Sequence, residues 1–249
     1  AAFIREPEFP GTLKLADLTT ARLAIYRDAR LKRVGPGTVL RELGLLSAIL
    51  ETARREWGWI GANPLRDVRK PTEPDHRDVI ISGAQIRAML RTMHYRRGPC
   101  RSVTQAVATA FLLALRTGMR AGEICTMRWD EVSADFCTVR GKTGKRDVPL
   151  TYPAAQLIES MRGFDTTLVF GLNTDSMSTL FRKYRQRANL DGFTFHDTRH
   201  TAATRLAQRL HVLDLCKMFG WTNTTMALTY YNPKAGEIAK RLIRRGSLV

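Results

Sequence analysis

The sequence predicts a mainly α-helical chain with one small antiparallel β-sheet, an α+β arrangement in two domains. Three observations carry that expectation. Apolar residues recur at helical spacing through most of the 249 residues. Around residues 136–150, two short apolar runs flank a basic, Gly-containing turn, which reads as a β-hairpin. The stretch KPTEPDHRD at 70–78 holds two prolines, five charged residues and no aliphatic side chain. That composition suits an extended linker. The expected layout is a helical domain over 1–72, a linker over 73–79 and a larger domain over 80–249.

Taken in order, residues 1–12 form an irregular lead-in with two prolines and a glycine. Leu15 to Arg33 reads as one helix, and Pro36-Gly37 as its break. From Thr38, the apolar set Val39, Leu40, Leu43, Leu46, Ile49, Leu50, Ala53 and Trp57 keeps a helical period, with Gly58 and Asn63-Pro64 as stops. Ser82 reads as the N-cap of a helix through about Met93. Val103–Leu115 is apolar enough to be buried all round, and Ala121–Met127 starts a short helix. After the hairpin, helical patterns run over Pro153–Met161, Asp175–Ala188, His196–Leu210, Val212–Phe219 and Thr225–Tyr231. An amphipathic segment, 235–243, closes the pattern.

Composition narrows the function. Forty Lys and Arg against 23 Asp and Glu give a net charge of +17, and the pI is about 10.5. Residues 1–75 hold 13 basic and 10 acidic side chains, so residues 76–249 carry +14 of that excess. A surface this basic attracts a polyanion, with nucleic acid the usual one. A membrane partner is not expected, since no convincing basic amphipathic helix or lipid anchor is present. Nor is there a run of about 18 apolar residues, or a signal peptide's basic-then-apolar order at the N-terminus. Cys100, Cys125, Cys137 and Cys216 show no CxxC spacing, which fits a reduced, cytoplasmic setting without a disulfide framework or zinc site.

The chemistry-bearing residues are spread along the second domain. His196 and Arg199 sit three apart, on one helix face. Arg120 follows a glycine turn at a helix start, where its guanidinium and free backbone N–H groups can address an anion together. Lys142, with Lys145 as runner-up, lies in the hairpin turn. Any one of these alone is more often a structural or solvated cation. His200, four residues beyond His196, invites a zinc reading, but the glutamate of HExxH is missing, so no metal is expected.

Their order changes the odds. Arg120 in TGMRAGEI, Lys142 in GKTGKRDVPL, His196 and Arg199 in FTFHDTRHTAATRL, and Trp221 and Tyr230 in FGWTNTTMALTYYNP form an ordered set. This set resembles the tyrosine recombinase (phage integrase) family, over about residues 80–233. The look is nearest to phage-type integrases and shufflon-type DNA invertases. The resemblance implies a helical core-binding domain followed by a catalytic domain, and a reaction that cleaves and rejoins DNA through a 3′-phosphotyrosine without metal or ATP. The outcome would be integration, excision or inversion. It further implies double-stranded DNA as partner, a homotetramer on two DNA sites and a C-terminal helix exchanged between protomers. The protein would be cytoplasmic, and nucleoid-associated when on DNA. An arm domain preceding the core-binding part is an open question.

Chemistry asks for the same residue types. Two arginines match the planar oxygens of a phosphate, a phenol of pKa about 10 needs a base, and the leaving 5′-oxygen needs a proton. His196 can take the phenol's proton and Lys142 can supply the other. Glu123 and His200 are expected as supports. Trp221, where most of the family has histidine, can donate a hydrogen bond but cannot shuttle a proton. The family spacing favours Tyr230 as nucleophile, with the adjacent Tyr231 the alternative. Arg27, Arg30, Lys32, Arg54, Lys145 and Arg146 are the candidate DNA-backbone contacts. A non-cleaving DNA-binding protein of the same fold and a type IB topoisomerase-like enzyme are the competing readings.

Overall fold

A computed structural model gives the fold, and it describes all residues except 1, 6, 8, 74–78, 142–143, 232, 234, 237 and 240–249. The chain divides into two compact units, Ala1–Arg77 and Asp78–Val249. The described residues are mainly helical and pair only two strands, in one antiparallel sheet.

The first unit is built on α1 (Thr20–Leu31) and α2 (Pro36–Arg55). The single helix expected from Leu15 is two pieces: a 3-10 turn over Leu15–Asp17, then α1, whose N-cap Thr19 accepts from the Arg22 N–H. Pro36 does not break a helix but begins one. At the first helical position its missing N–H costs nothing and its fixed φ is already helical. Leu23, Tyr26, Val39, Leu43, Leu46, Leu50, Leu65 and Val68 pack into this unit's core. Inside it, Arg30 grips Glu42 with two hydrogen bonds of 2.7 and 3.0 Å, and the Tyr26 hydroxyl donates to the same carboxylate.

The second unit winds around α4 (Val103–Thr117). Ten of its fifteen residues are buried, as its unbroken apolar run demands. Before it comes α3 (Gly83–Thr92), closed by a reciprocal capping box between Ser82 and Gln85. After it come α5 (Ala121–Cys125), then β1 (Phe136–Gly141) and β2 (Gly144–Pro149). The strands run further than the sequence suggested: Val139 pairs with Arg146 and Arg140 with Lys145, so these basic residues lie in the ladder and not in the turn. There follow α6 (Tyr152–Glu159), α7 (Thr174–Arg187), α8 (Asp197–Ala207), α9 (Val212–Phe219) and α10 (Thr225–Tyr230). Helices α8 and α4 pack together, and α9 and α10 both touch α8. Residues 235, 236, 238 and 239 are helical, while the rest of the expected C-terminal segment lies outside the described residues. The expected linker likewise falls largely outside them, at 74–78.

Candidate active site

The site begins where α4 ends. Gly118 terminates the helix at φ +68°, and a Cβ there would lie 2.3 Å from the Phe219 ring. Only glycine satisfies both the backbone and the space. The chain then turns, and Arg120 becomes the N-cap of α5. Glu123, in the first turn of α5, reaches back to the Arg120 backbone N–H at 2.7 Å and accepts from its guanidinium at 2.9 Å. The same carboxylate takes two bonds from Arg146, at 2.5 and 3.0 Å. Burial pushes the Glu123 carboxyl up, but the bonds from Arg146 and Arg120 outweigh it and hold the group below the usual carboxylate range. A Cβ at Gly141 would meet Glu123 Oε1 at 2.9 Å, so the hairpin approaches this close only because residue 141 lacks one.

Helix α8 brings the second cation. Asp197 anchors its start by accepting from the Thr194 N–H and hydroxyl, which places His196 at the N-cap. One turn on, Arg199 is 5% exposed. It donates at 2.6 Å to the carbonyls of Gly118 and Phe219, and its guanidinium lies over the Phe219 and Trp221 rings. A guanidinium has five N–H donors. Two are held by these carbonyls, which fix its plane, and the other three make no hydrogen bond among the described residues. Burial and then the nearby Arg120 push its pKa down to about 9, so it stays charged at neutral pH. His196 is exposed at its edges, yet the surrounding protein, Arg199 and Arg120 together lower its imidazole pKa.

The third part comes from α9 and α10. Gly220 ends α9 in the left-handed region, φ +66°, and delivers Trp221. The indole stacks flat on Tyr230, with ring centroids 5.3 Å apart and planes 1° apart. The Tyr230 hydroxyl meets His200 Nδ1 at 2.9 Å, and the His196 and His200 rings meet edge-on at 5.3 Å. Tyr231 stands past the end of α10, 39% exposed. Tyr230 is therefore the tyrosine drawn into the cluster.

Arg120, His196 and Arg199 line one cleft of about 340 Å³, together with Ser178, Arg182, Arg185 and Thr194. Glu123, Trp221, His200 and Tyr230 border these residues as described. Lys142 lies outside the described residues. Two expected backbone contacts must be corrected. Arg30 is 4% exposed and held by Glu42, so it has no surface to offer a phosphate. The Arg146 side chain is 10% exposed and occupied by Glu123 and the Met218 carbonyl. Of the others, Lys32 and Lys145 are exposed, whereas Arg27 pairs with Asp28 and Arg54 with Glu51. Sequence reasoning missed Arg182 and Arg185. Their spacing of three on α7, facing the same way, was the available signal.

The model of the phage integrase family matches residues 80–237. The shufflon-specific DNA recombinase of Escherichia coli is 30% identical over 252 residues, covering 95% of this chain and 64% of that protein. The chain thus spans just under two thirds of that relative's length. A lambda integrase dimer bound to a COC′ core site superposes with a TM-score of 0.70 at 21% identity, covering 88% of this chain and 82% of the other. A lambda integrase tetramer bound to a Holliday junction gives 0.72 at 20% identity, covering 88% and 66%. These two likenesses are likenesses of fold.

Proposed function

The chain belongs to the phage integrase family, and from that premise we propose that it is a tyrosine-type site-specific DNA recombinase. It cuts one strand of duplex DNA with Tyr230, holds the 3′-phosphate as a phosphotyrosine, and passes it to another 5′-hydroxyl. The observation that carries this reading is Arg199. It is a buried guanidinium with its plane fixed by two carbonyls and donors to spare, flanked by Arg120 on one side and by the Trp221–Tyr230 stack on the other.

The chemistry follows from these positions. As the phenol oxygen attacks phosphorus, charge grows on the non-bridging oxygens, and Arg120 and Arg199 are preorganised donors for it. The Trp221 indole N–H can add a further hydrogen bond. One of the two histidines of α8 accepts the phenol's proton, and Lys142 protonates the departing 5′-oxygen. Two arginines supply the charge and the phosphotyrosine stores the bond energy, so the cycle asks for neither metal nor ATP. The first unit acts as the core-binding domain. Lys32 and Lys145 are exposed cations for the DNA backbone, with Arg27 and Arg54 available once their surface ion pairs exchange. The lambda integrase tetramer on a Holliday junction supports a working assembly of four protomers on two sites, joined through the C-terminal helix in trans. The reaction belongs in the cytoplasm, on the nucleoid.

The test is a pool of nicked duplexes with randomised cores, incubated with the protein and resolved on a denaturing gel. A covalent protein–DNA band is expected, lost in Tyr230→Phe and kept in Tyr231→Phe. The sequenced DNA in that band identifies the site. No band from any duplex would leave a DNA-binding protein of this fold. A band without exchange between two sites, but with relaxation of supercoils, would make it topoisomerase-like.

A further inference from the structure

Two histidines on one face of α8 stand near the proposed nucleophile, and the structure treats them differently. The Tyr230 hydroxyl is 2.9 Å from His200 Nδ1. His196 makes no hydrogen bond through its ring among the described residues. It opens instead onto the cleft lined by Arg120 and Arg199, meeting His200 only edge-on at 5.3 Å. The Tyr230 ring is also fixed by its flat stack on Trp221, and α10, which carries it, packs directly against α8. A phenol held in plane, with an imidazole nitrogen at hydrogen-bond distance from its oxygen, has the geometry of a nucleophile and its base.

We infer that His200 is the group that orients the Tyr230 phenol and takes its proton, and that His196 serves the phosphate instead. This rests on Tyr230 being the nucleophile, and it moves the proton acceptor from the first histidine of HxxRH to the second. The tautomer must carry hydrogen on Nε2, leaving Nδ1 as acceptor. In the cleavage step the Oη–P bond forms and the P–O5′ bond breaks. The Oη proton passes to His200 Nδ1, and the 5′-oxygen gains its proton from Lys142. Religation reverses each transfer, so His200 returns to neutral and Tyr230 to its phenol form. The same bond accounts for the choice between adjacent tyrosines: Tyr230 ends α10 with its hydroxyl at the imidazole, whereas Tyr231 has already left the helix in an extended conformation.

Three variants decide it on a nicked duplex that the wild type attaches to. His200→Ala is expected to slow adduct formation by about 10²-fold or more while leaving DNA binding by gel shift unchanged. His200→Asn keeps a hydrogen-bonding group near Nδ1 without a proton acceptor, so it should recover part of the loss and not all. His196→Asn should bind DNA and lose rate too, but keep the Tyr230–His200 bond. Full recovery in His200→Asn would overturn the acceptor role, and a wild-type rate in His200→Ala would overturn the inference entirely. A measurement without DNA separates this from the recombinase reading. In the free protein, the ¹⁵N shift of His200 Nδ1 should change in Tyr230→Phe and not in Tyr231→Phe. An unchanged shift overturns the inference, whatever the enzyme does. Absence of any wild-type adduct counts against the recombinase reading alone.

Discussion

Glu123 and Arg146 form a two-bonded ion pair, 2.5 and 3.0 Å, across 23 residues of sequence. Glu123 is 1% exposed and at the same time grips Arg120. One carboxylate therefore ties the β-hairpin to the helix start that carries Arg120.

Removing that carboxylate should damage fold and rate together. Glu123→Ala leaves two arginines facing each other without their counter-charge, and breaking a buried pair from one side costs about 3–5 kcal/mol. Glu123→Gln should cost less, since the amide still accepts a hydrogen bond. Urea midpoints at constant m-value would show both. The pH dependence has a definite sign. The folded-state pKa of Glu123 is lowered, so its contribution is fully present above the unfolded carboxylate range, near pH 4.5, and is lost as pH falls through the folded value. Glu123→Gln should flatten the acid limb of the stability curve below that pH. An acid limb identical to wild type would count against the pair.

Gly118→Ala tests the other hinge of the site. The left-handed backbone costs a non-glycine residue about 1–2 kcal/mol, and the methyl would sit inside the Phe219 ring's space, adding about 1–3 kcal/mol of overpacking. Because Arg199 is held by the carbonyls of both Gly118 and Phe219, shifting either also turns the guanidinium. Thermal unfolding should move down by several degrees, and adduct formation should fall more than stability alone explains. Equal stability to wild type would mean the turn relaxes freely.

These two hinges show what the sequence could and could not reveal. The placements of Gly118, Arg120, His196 and Arg199 were legible because each is set by local order: a turn, a helix start, a spacing of three. Arg146 was not. A basic residue beside a glycine turn reads as a phosphate contact until its partner is known, and that partner is a carboxylate contributed by another element. Arg30 was misread for the same reason, since Glu42 lies on the next helix. Pro36 shows a third kind of miss. One letter serves as a helix breaker or a helix starter, and only the neighbouring backbone decides.

His196 should make the protein acid-sensitive in a different window. Burial lowers its pKa, Arg199 and Arg120 lower it further, and Asp197 opposes them. The unfolded chain therefore binds a proton near pH 6.5 that the folded chain refuses. Stability should rise with pH up to about 6.5, where the unfolded histidine becomes neutral, and be lost as pH falls below it. His196→Gln should remove that part of the slope between pH 7 and 5.5 in urea titrations. Adduct formation should hold steady from pH 8 to about 6.5 as far as this residue is concerned, because His196 keeps one charge state across that range.

The first unit offers a contrast between two neighbouring cations on the same stretch of chain. Arg30 is enclosed with Glu42 and Tyr26, whereas Lys32 is exposed just past the end of α1. A cation that neutralises one DNA phosphate contributes about −0.9 to the slope of log K against log salt. Lys32→Ala should therefore weaken DNA binding without destabilising the protein, and should reduce the salt slope by about 1. Arg30→Ala should do the reverse. It strands a buried carboxylate, costing about 3–5 kcal/mol of stability, while the salt slope of whatever remains folded is unchanged. Replacing both partners at once, Arg30→Met with Glu42→Leu, should restore most of the loss, because an apolar pair of similar volume leaves no charge behind. Fluorescence anisotropy at four salt concentrations, beside urea unfolding, reads both quantities. If Arg30→Ala lowers the slope as Lys32→Ala does, then this arginine leaves Glu42 on binding and reaches the DNA after all.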